Sequence, residues 1–114
     1  QILFYPVISM ESKYGHGGSC RQFLGEKATE ELKKEFSNEY QVDSLTPRAF
    51  IALSDDDRGV VPMNSIRYYS ALKEKEIPAA MYIYPSGGHG WGMKDSFKFR
   101  NEMLMELKAW LMTF

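Results

Sequence analysis

The sequence predicts an α/β fold of about three parallel strands with flanking helices, and three observations carry that prediction. Short runs of apolar, aromatic and β-branched residues recur at 2–8, 49–54 and 79–84. The second and third runs are each followed by a stretch whose apolar residues return at helical spacing. Strands that alternate with amphipathic helices pair in parallel through right-handed crossovers. With 114 residues, 44 % hydrophobic and 14 % aromatic, the chain has the material for one small core, so residues 1–114 are assigned to a single domain.

Residues 2–8, "ILFYPVI", read as a buried strand whose regular part ends near Tyr5, because Pro6 has no N–H to give a ladder. The 10–46 stretch is polar and punctuated by glycine. It offers one clear element, a helix from Thr29 through Phe36. Thr29 can cap it, and Glu30 and Glu31 lie in the first turn, where the helix dipole favours acids. Residues 49–54, "AFIALS", are too short for a helix and are bounded by Pro47 and an acidic cluster. Pro62 suits the first position of the next helix. There Ile66, Tyr69 and Leu72 share a face, Tyr68 and Tyr69 divide between core and helix surface, and Pro78 stops the run. "AAMYIY", 79–84, is the third strand. The tail, 95–114, reads as a helix with Phe99, Met103, Leu107, Trp110, Leu111 and Phe114 at helical spacing and its methionines as core filler.

Composition excludes several functions. A net charge of −1 with no basic run gives a nucleic acid no electrostatic support. No apolar segment approaches membrane-spanning length. The single cysteine, Cys20, excludes an internal disulfide, and no Cys/His cluster has zinc spacing, so neither metal nor cofactor is implied. The opening "QILFYPVI" enters an apolar run without a cap or turn, and three parallel strands are few for a sheet that normally has both faces covered. Both features point to a segment of a longer polypeptide.

In open α/β sheets the working loops follow the carboxyl ends of strands. Two such loops stand out: "SDDDRGVVP" after 49–54 and "PSGGHGWG" after 79–84. Asp55, Asp56 and Asp57 on the first and His89 on the second would meet at one sheet edge if sequential strands are neighbours. A carboxylate there can fix the tautomer of the imidazole and stabilise its cation while the ring takes and returns a proton. Against that stands a solvated aspartate turn and an ordinary loop histidine. A third option is a binding or assembly module in which the acidic trio holds a divalent cation. Asp55 lies closest to the strand and reads as a turn residue. His16, in "YGHGGS", has no strand before it and is given a structural or substrate-rim role. Ser19 and Cys20 lie outside any strand-turn-helix elbow and are set aside as nucleophiles. Trp91 either lines a substrate site or packs beneath the histidine loop.

At these loops the sequence resembles the C-terminal part of an α/β-hydrolase serine esterase of the carbohydrate-esterase type, which includes acetyl-xylan-esterase-like and feruloyl-esterase-like enzymes. Five stretches carry the resemblance, in order: "ILFYPVISM", "HGGSCRQFLG", "FSNEYQVDSLTPRAFIALSDDD", "VPMNSIRYYSALKEKEIP" and "MYIYPSGGHGWG". The resemblance implies a Ser–His–Asp triad in the chain order Ser…Asp…His, with His89 as the histidine and Asp57 as the acid; Asp56 is the alternative. It implies hydrolysis of small acyl esters, acetyl-type esters on carbohydrate, without a cofactor. A prolyl-oligopeptidase-type serine peptidase shares a similar Asp–His end. No Gly-x-Ser-x-Gly occurs in these 114 residues, so the nucleophile elbow and N-terminal strands are expected upstream of Gln1 and the segment alone is expected to be inactive. The substrate partner would be a small ester or an acylated carbohydrate. A secreted or periplasmic setting fits the resemblance, while the composition itself leaves the compartment open.

Overall fold

In the computed structural model, which describes residues 1–114, β1 (Ile2–Phe4), β2 (Ala49–Ser54) and β3 (Ala79–Tyr84) form one parallel sheet in the order β1-β2-β3. Ile51 sits between Leu3 and Met81, and Ser54 lies opposite Tyr84. Every residue of central β2 is buried. The continuous run "AFIALS" thus reflects a strand covered on both faces. Its residues alternate: Ala49, Ile51 and Leu53 pack with Ile8, Val42, Tyr68 and Leu72, whereas Phe50 and Ala52 face Tyr84, Trp91, Phe97, Met103 and Leu107. Helix α3 (Met63–Glu74) covers the first face and α4 (Arg100–Leu111) the second.

The ladder of β1 ends where Pro6 requires. Tyr5 still donates its N–H to the Ala52 carbonyl at 2.8 Å, but its own φ is +38°. Between β1 and β2, Thr29 caps α2 (Glu30–Glu35) through its hydroxyl, which accepts the Leu32 N–H at 3.2 Å. A further helix, α1 (Gly17–Leu24), precedes it where the sequence offered none. Its cap is an imidazole: Nδ1 of His16 accepts the Ser19 N–H at 3.1 Å. Ser, Thr, Asp and Asn are the usual caps, so a histidine start gives no warning.

The inner face of α3 also departs from the expected Ile66, Tyr69 and Leu72. Asn64, Ser65, Tyr68 and Leu72 are the buried residues, and Ile66 and Tyr69 are half-buried. The cause is Asn64. Its Oδ1 accepts the N–H groups of Ile8 (3.1 Å) and Ser9 (3.0 Å), and its Nδ2 donates to the carbonyls of Tyr14 (2.7 Å) and Val61 (3.1 Å). One side chain satisfies four backbone groups and turns α3 to suit. A second clasp is ionic. Arg67 donates to the Tyr40 hydroxyl (2.7 Å) and lies 3.4 Å from the buried Glu39 carboxylate, while Tyr40 donates to Glu11 (2.7 Å). The bond to Glu11, together with burial, raises the Tyr40 pKa.

Helix α4 begins at Arg100 rather than 95. Phe97 stacks on Trp91 at 4.0 Å and Phe99 on Tyr84 at 5.6 Å. Two residues are about 200° apart on a helix, so a regular helix from 95 could not face both rings into one core. At the far end Leu111 and Phe114 remain exposed.

Tyr84 supplies a pH prediction. Its hydroxyl is buried without a hydrogen-bond partner, and burial first, then Glu106, push its pKa up to about 12 from an ordinary 10.0. The unfolded chain therefore loses this proton before the folded one does, so stability falls as pH rises from about 10 towards about 12. Tyr84→Phe is expected to flatten that decline in urea unfolding followed against pH, with no loss of stability at pH 7 because the unpaired hydroxyl disappears. An unchanged alkaline slope would contradict the assignment.

Candidate active site

Because β2 and β3 end side by side, the loops that leave them meet. The first is a tight turn held by its own carboxylate: Oδ1 of Asp57 accepts the N–H groups of Gly59 (3.0 Å) and Val60 (2.9 Å). Such Asx-type bonding is what aspartate does well in turns. With Oδ1 committed to the backbone, Oδ2 reaches Nδ1 of His89 at 2.7 Å. The Asp57 side chain is 1 % exposed and that of His89 44 % exposed. A carboxylate only accepts, so Nδ1 carries the proton and the neutral ring keeps Nε2 as its acceptor.

The neighbouring acids do other work. Oδ1 of Asp56 accepts the Gly88 N–H at 2.8 Å and ties the glycine-rich loop to the aspartate turn. Asp55 extends the ladder, its N–H donating to the Tyr84 carbonyl at 2.8 Å, with its side chain exposed. The acidic trio therefore diverges. No group of three or more His, Cys, Asp or Glu side chains is gathered to hold a metal ion.

Glycine has a clear purpose at 87. With φ at +138°, a Cβ there would lie 2.7 Å from the Phe97 ring and 2.8 Å from Oγ of Ser54. Trp91 is buried beneath the loop, stacked on Phe97, and its Nε1 donates to Ser54 Oγ at 2.9 Å. Trp91 packs beneath the loop and also lines the cavity beside His89. His16 and the buried Cys20 belong to α1 and its cap.

Sequence reasoning missed two residues here. Ser54 is the internal partner of Trp91. Tyr5 places its ring 4.4 Å from that of His89, and its hydroxyl accepts the Gly92 N–H at 3.0 Å. As one more aromatic in an apolar strand, it carried no signal of its own. Beside His89 a cavity of about 260 Å³ opens, lined also by Gly90, Lys94, Ser96 and Lys98. A buried carboxylate bonded to a half-exposed imidazole can accept a proton at Nε2 and return it.

Comparison with known proteins identifies the family. Residues 5–113 match the peptidase S9, prolyl oligopeptidase family. An acetylxylan esterase of Xylanibacter ruminicola is 43 % identical over an alignment of 114 positions that covers 96 % of this chain and 24 % of that protein. Endo-1,4-β-xylanase B of Butyrivibrio fibrisolvens is 44 % identical over 89 residues, 78 % of this chain and 14 % of that one. Among solved structures, an acetyl ester-xyloside bifunctional hydrolase from Caldicellulosiruptor lactoaceticus superposes with a TM-score of 0.92 at 32 % identity, covering 98 % of this chain and 41 % of that one. The chain thus spans a quarter or less of the curated relatives it matches.

Proposed function

The chain belongs to the prolyl oligopeptidase family and has the carboxyl-terminal part of the α/β-hydrolase fold, and on that premise we propose that it supplies the Asp–His arm of a serine carboxylesterase acting on acetyl-type esters of a xylan-like carbohydrate. The observation that carries this reading is the 2.7 Å bond between Asp57 Oδ2 and His89 Nδ1. No Gly-x-Ser-x-Gly occurs within these residues, so the reading requires a serine and oxyanion donors supplied from outside them.

Each step follows from the proton at Nδ1. Nε2 of His89 takes the proton of the serine hydroxyl as its oxygen attacks the ester carbonyl. Asp57 holds the ring in the tautomer that leaves Nε2 free and stabilises the imidazolium. That imidazolium then protonates the departing sugar oxygen, and the acyl group stays on the serine. Water, deprotonated by the same nitrogen, attacks the acyl-enzyme; carboxylic acid leaves and the serine recovers its proton.

An esterase is favoured over a peptidase by the acetyl-ester activities named for the two relatives at 43 % and 32 % identity. A fluorophosphonate probe tests the proposal on the full-length enzyme. Covalent labelling of one serine is expected, with hydrolysis of p-nitrophenyl acetate and release of acetate from acetylated xylan. The 114-residue chain alone is expected to take up no probe. A full-length enzyme that stays unlabelled, or that cleaves peptide p-nitroanilides and leaves acetyl esters intact, would overturn the proposal.

A further inference from the structure

We propose that Tyr5 is a positioning residue for His89, holding the imidazole face and the far end of its loop so that Nε2 keeps one direction. The inference rests on the esterase reading above and extends it to a residue on a different strand.

The bond from Asp57 fixes one ring nitrogen. It leaves the ring free to swing about that point, and the loop that carries it is pliable: Gly87, Gly88, Gly90 and Gly92 all have positive φ. A second restraint is needed if Nε2 is to present itself in one place. Tyr5 provides two. Its ring stands 4.4 Å from the imidazole with the planes 58° apart, and it meets Trp91 edge-on at 5.0 Å, so it forms a wall against the histidine. Its hydroxyl accepts the Gly92 N–H at 3.0 Å, three residues beyond His89, and anchors the loop from the other side.

Tyr5 is itself held at a cost. Its φ of +38° is one of just two positive values among the non-glycine residues, and a bulky residue there is strained unless its surroundings insist on it. They do: its N–H is bonded to Ala52 and its ring packs on Trp91. Strain of this kind gathers where geometry serves a site.

The test compares Tyr5→Leu and Tyr5→Phe in the full-length enzyme, with folding checked by thermal melts. Misplacing a catalytic group by about 1 Å can cost about 100-fold, and a contact that matters in the transition state alone lowers kcat without raising KM. Tyr5→Leu is expected to lower kcat on p-nitrophenyl acetate by about 10- to 100-fold at unchanged KM. Tyr5→Phe keeps the wall and loses the anchor, so it should lose less, remaining about three- to tenfold below wild type. A folded Tyr5→Leu enzyme with wild-type kcat, or one changed in KM alone, overturns the proposal. If Tyr5→Leu does not fold, Tyr5→Phe decides: a fall in kcat supports the role, and wild-type kcat refutes it. Failure of the esterase reading looks different, because the wild type itself would then either stay unlabelled by the fluorophosphonate or leave acetyl esters intact.

Discussion

His89→Ala in the full-length enzyme is expected to lower kcat/KM for acetyl esters by on the order of 10⁴- to 10⁶-fold, with little change in thermal stability. The size follows from what is removed. Without an acceptor at Nε2, the serine hydroxyl must lose its proton to water, and the leaving oxygen must collect one from water. Stability should hold because His89 is half-exposed and lies on a loop rather than in either core. Asp57→Asn is a sharper probe. An amide in place of Oδ2 can donate towards Nδ1, which moves the ring proton to Nε2 and leaves the base in the wrong tautomer; the expected loss is about 10⁴-fold. That side chain can still accept the Gly59 and Val60 N–H groups through its remaining oxygen, so the turn should survive. Asp56→Asn serves as the contrast. Its amide oxygen can keep the bond to Gly88, and activity should stay within about threefold of wild type. Steady-state kinetics on p-nitrophenyl acetate reads all three. Were Asp56→Asn the crippled variant and Asp57→Asn the active one, the acid would have to be reassigned; a labelling rate undiminished in His89→Ala would remove the imidazole from the mechanism.

Asn64→Ala carries the largest expected effect on stability, on the order of 3–5 kcal/mol. The N–H groups of Ile8 and Ser9 and the Tyr14 carbonyl lose this partner at once, the Val61 carbonyl keeps only the backbone N–H of residue 64, and Ile8 and Ser9 are buried. Asn64→Asp should be at least as damaging at pH 7. The new carboxylate keeps an acceptor for the Ile8 and Ser9 N–H groups, but it turns a second oxygen on the Tyr14 and Val61 carbonyls. Acidification supplies the check. A protonated acid can donate to one of those carbonyls, so its folded-state pKa lies above the unfolded value of about 3.9. The stability that the neutral acid contributes is then present below about pH 4 and is lost as pH rises through the raised value. Urea unfolding of Asn64→Asp should therefore show a smaller deficit at pH 4 than at pH 7. A deficit under about 1 kcal/mol in Asn64→Ala would mean that the four bonds are replaced by others.

Much of the frame was legible in the sequence because it depends on local patterning. The run at 49–54 is apolar throughout, and it proved to be a strand buried on both faces. Thr29 caps the helix it was expected to cap. The two loops were singled out because each follows a strand and carries chemistry-bearing residues, and they meet at one sheet edge. What pattern missed has a common character. Asn64 is polar, so apolar periodicity puts Ile66 and Tyr69 on the inner face instead. His16 is a cap whose residue type does not advertise capping. Phe99 carries helical spacing and yet packs on Tyr84 from just before the helix.

The sequence by itself determined the alternation of strands and helices, the central buried strand and the side of the sheet on which an acid and an imidazole would emerge. These follow from how apolar and polar residues partition between core and water along a short stretch of chain. The tertiary structure alone decided how the oxygens of Asp57, the acid the resemblance implies, divide between the ring and the turn, that Trp91 supports the loop, and that Tyr5 from the first strand stands against the histidine. Those outcomes depend on register and side-chain direction between segments 32 and 87 residues apart, and a hydrogen bond tolerates errors of only a few tenths of an ångström. No periodicity in a single chain records distances that small.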